Sequence, residues 1–243
     1  MTRRHRPDQL EKLDAEIAGC RACPRLVAHR EEVARTKRRR YLHESYWGKP
    51  VLGFGDRAGP LVILGLAPGA HGANRTGRVF TGDRSGDFLY AALHRIGLAS
   101  QPSSERREDG LLLRGVYVTL AARCAPPGNR PAPEEVQRCG GWLDRELALL
   151  RPRVVLALGA IAWNAFLDHL RRGGTALPRP RPRFAHDASL ELDGRPLLLG
   201  SYHVSQQNTQ TGRLTIEAFE RTLCRAARLA TPELPGHSSL SNR

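Results

Sequence analysis

The stretch Leu61–Val62–Ile63–Leu64–Gly65–Leu66–Ala67–Pro68–Gly69–Ala70–His71–Gly72–Ala73–Asn74–Arg75–Thr76–Gly77–Arg78–Val79–Phe80–Thr81–Gly82–Asp83 decides how this chain is read. Its first residues are an apolar run of strand length closed by turn residues, the pattern of a strand buried on both faces of a parallel sheet. The run opens into a loop with five glycines from Gly65 to Gly82. Beyond it, Ser85–Gly86–Asp87–Phe88–Leu89–Tyr90–Ala91–Ala92–Leu93 resumes with helical spacing. Strand, glycine-rich loop, helix is the layout with which open α/β sheets bind ligands at the carboxyl ends of their strands. The loop is longer and more irregular than a plain connector. Its glycines allow close backbone approach, while Asn74, Arg75, Phe80 and Asp83 bring chemistry. It lacks the Gly-Lys-Ser/Thr of a P-loop and the G-x-G-x-x-G of a dinucleotide site, so both are excluded.

Working outward, the same alternation continues. Val116–Ala121 reads as a second strand, Val154–Gly159 as a third, and Leu197–Tyr202 as a fourth. Ser189–Leu192 and Pro196–Tyr202 flank Asp193–Gly194 as a short hairpin. Helices are expected at Asp8–Ile17, from about Leu26 to Arg40, from Pro133 to Leu150, over Ala160–His169 and from about Leu214 to Ala230. Pro133 with Glu134 and Glu135 suits a helix start, where the dipole favours acids. Tyr41–Pro60 reads as a loop and Arg171–Arg183 as a linker. Strands alternating with helices give an α/β fold, a parallel sheet with helices on both faces. One domain over residues 1–230 is expected, its segment 8–40 included, followed by a disordered tail at 231–243.

The 243 residues can hold one sizeable core. Charge is the loudest bulk feature, with 38 Lys plus Arg against 24 Asp plus Glu, a net +14. Nearly all the positive charge is arginine, concentrated locally in Lys37–Arg38–Arg39–Arg40. Such a balance suits a polyanion such as nucleic acid, and arginine enrichment also follows from genomic composition. No apolar run is long enough to span a membrane, and no apolar core follows Met1–Pro7 as in a signal peptide. A cytoplasmic protein without a membrane partner is expected.

Five cysteines argue against a disulfide framework and for a metal site or free thiols. Cys20-x2-Cys23 is followed by Pro24; Cys124 follows the second strand, and Cys139 lies in the next helix. Four soft ligands suit zinc or an iron–sulfur cluster, and the spacing does not separate the two. Cys224, among apolar helical residues, reads as inert. His203, in Ser201–Tyr202–His203–Val204–Ser205, ends the fourth strand. A parallel sheet brings it to the edge that carries the Gly65 loop, which makes it a candidate for substrate contact.

Taken together, Gly65–Asp83, the four cysteines, and Ser201–Ser205 with Asn208–Thr209–Gln210–Thr211–Gly212 resemble the uracil-DNA glycosylase superfamily, within it the family 5 (type B) iron–sulfur enzymes. The resemblance spans about Cys20 to Ala230. It implies a three-layer α/β/α sandwich around a four-stranded parallel sheet. It also implies a structural [4Fe–4S] cluster on Cys20, Cys23, Cys124 and Cys139, and excision of uracil and other deaminated bases (hypoxanthine, xanthine) from DNA by a monomer.

The resemblance makes Asp83 and His203 the catalytic pair and Gly69, Ala70, His71, Asn74, Phe80 and Asn129 the substrate-contacting residues. Phe80 matches the aromatic that stacks on an extruded base, and His203 the donor to the base O2. The chain departs from the family pattern at Ala67, where better-known members carry a water-activating polar residue, and at Leu120, where uracil-specific members carry asparagine. The first departure shifts the burden to Asp83; the second removes an amide able to read the base edge. A non-catalytic iron–sulfur protein that binds nucleic acid is the alternative, one that would not need Asp83 and His203 together.

Overall fold

The computed structural model describes residues 6–231; the expected tail falls outside them except for Thr231, as does the extreme amino terminus. In chain order the elements are α1 (Arg6–Ala18), α2 (Pro24–Thr36), a 3-10 turn at Arg39–Tyr41, β1 (Phe54–Gly55), β2 (Leu61–Gly65), α3 (Ala73–Thr76) and α4 (Arg84–Arg95). They continue with β3 (Val116–Leu120), a 3-10 turn at Pro127–Asn129, α5 (Pro133–Leu150), β4 (Val154–Leu158) and α6 (Ala160–Arg172). The chain then forms β5 (Ser189–Leu190), β6 (Leu197–Ser201), α7 (Gln206–Thr209) and α8 (Ile216–Ala230).

The sheet order is β1-β3-β2-β4-β6-β5. The four expected strands, β3, β2, β4 and β6, run parallel at its centre. Two antiparallel edge strands widen the expected four-stranded sheet to six. β5 pairs with β6 as the expected hairpin, while β1 lies in the segment read as loop. A strand of two residues carries no periodicity for sequence to display.

Sidedness follows from strand pleating, which sends alternate side chains to opposite faces. Leu61 and Ile63, Val116 and Val118, and Val154 and Leu156 join one core with residues of α4 and α8. Val62 and Leu64, Tyr117, Val155 and Ala157 join another with α1, α5 and α6. Each fully buried Leu, Ile, Val or Phe contributes roughly 1.5–3 kcal/mol. The interleaved pattern fixes register, because a one-residue slip would exchange the two faces.

Three boundaries differ from the sequence reading in ways that matter later. α2 stops at Thr36 because Lys37 adopts a left-handed φ of 55°, so the Lys37–Arg40 charge run leaves the helix and enters a turn. The segment 171–183 is fastened down, with Trp163 Nε1 donating to the Pro182 carbonyl at 3.1 Å and Arg181 bound to Asp168 at 3.1 Å. Inside the glycine-rich loop, Ala73–Thr76 winds one short turn that ends at Gly77, φ 76°.

Candidate active site and cysteine centre

β2 and β6 run parallel on either side of β4, so the glycine-rich loop and the His203 segment leave the sheet at the same edge. Phe80 joins them. Its ring packs against the end of β2, where a Cβ on Gly65 would lie 2.7 Å from the ring, and its centroid is 6.0 Å from that of His203. The backbone of Phe80 is held at φ 49°, a conformation that costs a non-glycine residue free energy and that gathers at functional sites. Gly86 permits it: a Cβ there would sit 1.9 Å from the Phe80 carbonyl oxygen.

Asp83 caps α4, its Oδ1 accepting from the Gly86 amide at 3.0 Å. The other oxygen rests on the glycine turn, for a Cβ on Gly72 would fall 2.0 Å from Asp83 Oδ2 and one on Gly69 2.8 Å from it. Burial pushes the Asp83 carboxyl above its ordinary value, while hydrogen bonds from the Gly86 and Ser85 amides pull the other way. His203 is pushed down to about 4 by burial, so it is neutral at physiological pH and carries one ring N–H. Asn208 Nδ2 donates to the His203 carbonyl at 2.8 Å and fixes the loop that carries it.

The remaining expected contact residues divide. Gly69 and Ala70 are part-exposed in the turn beneath Asp83. His71 Nδ1 shares a 3.1 Å hydrogen bond with the Tyr46 hydroxyl, and burial together with Arg38 and Arg75 lowers its proton affinity. Asn129 is exposed in the Pro127–Asn129 turn, at φ 56°. Asn74 is fully buried; its amide donates to the carbonyls of Arg30 at 3.2 Å and Ala70 at 3.4 Å. That geometry makes Asn74 a brace of the turn.

Arg75 reaches further than its sequence position suggests. It donates to the carbonyls of His71 at 2.8 Å and Gly82 at 3.2 Å, pairs with Glu44, and lies over the Tyr41 ring at 3.9 Å. The turn that follows α2 is thereby tied to two points of the glycine-rich loop, His71 and Gly82. Sequence gives no sign of Glu44 and Tyr41 as partners, which lie outside any local pattern.

Cys20, Cys23, Cys124 and Cys139 line one small cavity together with Leu26 and Trp142. Cys224 is elsewhere, in α8. Among the described residues no three His, Cys, Asp or Glu side chains are set to share a single metal ion. Burial pushes the Cys124 thiol up to about 11 and the Cys139 thiol up to about 12, and donors beside them pull the other way. Arg30 Nη1 donates to Cys124 Sγ at 3.1 Å, the Arg123 amide to Cys139 Sγ at 3.3 Å, and Arg138 approaches Cys23 Sγ at 3.9 Å. Arg30 and Arg123 are both almost fully buried, with guanidinium nitrogens left without hydrogen-bond partners. Charge-assisted donors around thiols suit thiolate ligands, so the donor set fits a sulfur-ligated group. Sequence reading missed Arg30, although a signal existed: Leu26, Val27 and Arg30 share the buried face of α2, an arginine inside an apolar stripe.

Helices on both faces of a sheet whose four central strands run parallel are what the resemblance implied. The family model of the uracil DNA glycosylase superfamily matches residues 52–227, and the chain belongs to that superfamily. It is 54% identical over 215 residues to a type-5 uracil-DNA glycosylase of Thermus thermophilus, covering 88% of this chain and 95% of that one. It is 51% identical over 221 residues to a type-5 uracil-DNA glycosylase of Mycobacterium tuberculosis, covering 90% and 81%. A type-4 uracil-DNA glycosylase of Archaeoglobus fulgidus is more distant, at 35% over 156 residues, covering 64% and 62%.

Proposed function

We propose that this chain is a uracil-DNA glycosylase that hydrolyses the bond between base and deoxyribose, leaving an abasic site, and that it accepts hypoxanthine and xanthine as well. The observation that carries the reading is Phe80 held at a left-handed φ beside a buried, neutral His203 at the strand edge. A base inside a duplex is out of reach, so the nucleotide is extruded and read in a pocket. Phe80 offers the stacking surface. As the glycosidic bond breaks, its electron pair moves onto the base. The His203 N–H then meets the developing charge on the base oxygen, where a preorganised donor is worth most.

Asp83, with Oδ1 occupied by the α4 cap, uses Oδ2 toward the sugar. There it orients water and balances the oxocarbenium charge. Water adds to the sugar carbon and the proton it releases passes to solvent. Leu120, 1% exposed and packed near the Phe80 ring, gives the pocket an apolar wall that discriminates by size more than by hydrogen bonding. That supports a broad set of deaminated bases.

Cys20, Cys23, Cys124 and Cys139 would hold a [4Fe–4S] cluster, which supplies a structural cross-link between the N-terminal segment, the loop after β3 and α5. The buried Arg30 guanidinium on Cys124 Sγ and the Arg123 main-chain amide on Cys139 Sγ support this over four inert cysteines. The same reading makes the protein a cytoplasmic monomer. No helix among the described residues is long and apolar enough to cross a membrane.

The test is incubation with duplexes carrying one uracil, hypoxanthine or xanthine, followed by alkali. Strand breaks at the lesion are expected for all three. Breaks at uracil alone would remove the broad-specificity part, and tight binding without breaks would favour the non-catalytic reading. Iron analysis and broad absorbance near ~400 nm decide the cluster, with stoichiometric zinc in colourless protein as the opposing result.

A further inference from the structure

α2 stands between the cysteine cavity and the glycine-rich loop, and Arg30 touches both. Its guanidinium is 2% exposed and donates to Cys124 Sγ at 3.1 Å and to the Cys20 carbonyl at 3.2 Å. Its nearest carboxylate, Glu31, is 3.8 Å away and already bound by Arg21. A buried guanidinium without a close carboxylate needs its counter-charge elsewhere, and the sulfur of Cys124 is the acceptor at hand.

The main chain of the same residue faces the other way in function. The Arg30 carbonyl accepts from Asn74 Nδ2 at 3.2 Å. Asn74 in turn closes the turn beneath Asp83, its amide N donating to the Gly69 carbonyl at 3.0 Å and its side chain to that of Ala70 at 3.4 Å. Gly72, against which Asp83 Oδ2 rests, lies inside that turn.

We propose that Arg30 is a positioning residue that couples the cysteine centre to the base-binding turn, its side chain serving as the counter-charge to the sulfur ligands and its carbonyl anchoring Asn74. The proposal rests on the reading of the four cysteines as ligands of one group. Loss of that group frees the Arg30 side chain, lets α2 shift, and loosens the turn that sets the reach of Asp83. The coupling is mechanical, through a chain of hydrogen bonds with two fixed ends. It gives a structural centre a hand in catalysis without any redox step.

The experiment compares as-purified protein with Arg30→Met, Arg30→Lys and Asn74→Ala. Its readouts are metal content, hydrogen exchange at the amides of Asn74–Gly77, and single-turnover base release. Arg30→Met should lose metal retention by roughly 10–100-fold, as removal of a partner of metal ligands does, and its turn amides should exchange faster. Arg30→Lys keeps the charge but not the fork, so metal is expected to stay while exchange rises. Asn74→Ala should loosen the turn with metal content intact. Wild-type exchange at the turn in either Arg30 variant would overturn the coupling. Should wild-type protein hold neither iron nor zinc, the reading of the cysteines fails, and the comparison of Arg30→Met with Asn74→Ala still decides whether α2 supports the turn. If Arg30→Met does not fold, Arg30→Lys carries the test.

Discussion

The ring of Phe80 lies 6.0 Å from that of His203, inclined by 35°. The two residues come from loops after different strands and are brought together by the parallel run of β2, β4 and β6. A flat surface beside a single N–H donor is an arrangement suited to a planar base that leaves as an anion.

His203→Ala should slow single-turnover excision by ~10²–10³, the usual cost of a lost preorganised donor, while binding to uracil-containing duplex changes little. The histidine also sets a pH dependence of stability. Its ordinary value of 6.5 is lowered to about 4 in the folded protein. Between those values the unfolded chain takes up a proton that the folded one does not, so stability falls as pH drops from 6.5 to about 4. Urea unfolding across that window should show this slope, and His203→Ala should flatten it. Equal slopes in both proteins would remove the assignment.

Asp83 predicts an acid limb. Its carboxyl is raised by burial and must be ionised to balance positive charge on the sugar. Excision should therefore decline as pH falls, with a midpoint above the ordinary 3.8, and rates at saturating enzyme read it directly. Asp83→Asn should be slow at every pH with the limb gone.

Gly72→Ala tests the same contact from the other side. A Cβ 2.0 Å from Asp83 Oδ2 and 2.7 Å from its Cγ cannot be accommodated without moving the carboxylate. Overpacking of this kind typically costs about 1–3 kcal/mol in stability, and excision should slow beyond what thermal melting accounts for. Gly141→Ala, where nothing lies within 4 Å of the added Cβ and the backbone is helical, is the control for an unobstructed glycine replacement.

At Leu120, replacement by Asn introduces a directional amide into an apolar wall. Uracil excision should survive while hypoxanthine and xanthine excision drop relative to it, by ~10-fold or more if the amide finds the base edge. Burying an amide that lacks a partner costs roughly 1–3 kcal/mol, so a lower melting temperature should accompany the switch. Unchanged lesion ratios would show that Leu120 does not face the base.

Arg38, Arg39 and Arg40 are exposed in the turn that follows α2, and Arg75 ties that turn to the glycine-rich loop. The logarithm of affinity for duplex DNA should fall linearly with the logarithm of salt concentration. Replacing all three with serine should reduce the slope by roughly 2–3, since each phosphate contact contributes about 0.9. An unaltered slope would place the DNA path elsewhere.

Sequence by itself determined the kinds of element, because near-neighbour periodicity states whether a segment buries two faces, one stripe or none. It supplied the four central strands, the helices between them, and the edge where Gly65–Asp83 and His203 meet, since parallel strands all deliver their carboxyl ends to one side. The four cysteines could be gathered on the resemblance, and they line one cavity. Tertiary structure alone decided the rest. The edge strand β1 is two residues long and exists through its partner. Lys37 ends α2 by a backbone angle that its side chain does not encode. Asp83 divides its two oxygens between a helix cap and a glycine turn, and Asn74 lies buried with its side-chain amide on the Arg30 and Ala70 carbonyls. Arg30 meets Cys124 Sγ and Arg75 meets Glu44 only in the folded chain, 94 and 31 residues apart in sequence, and such encounters are set by packing of the whole sheet and its helices.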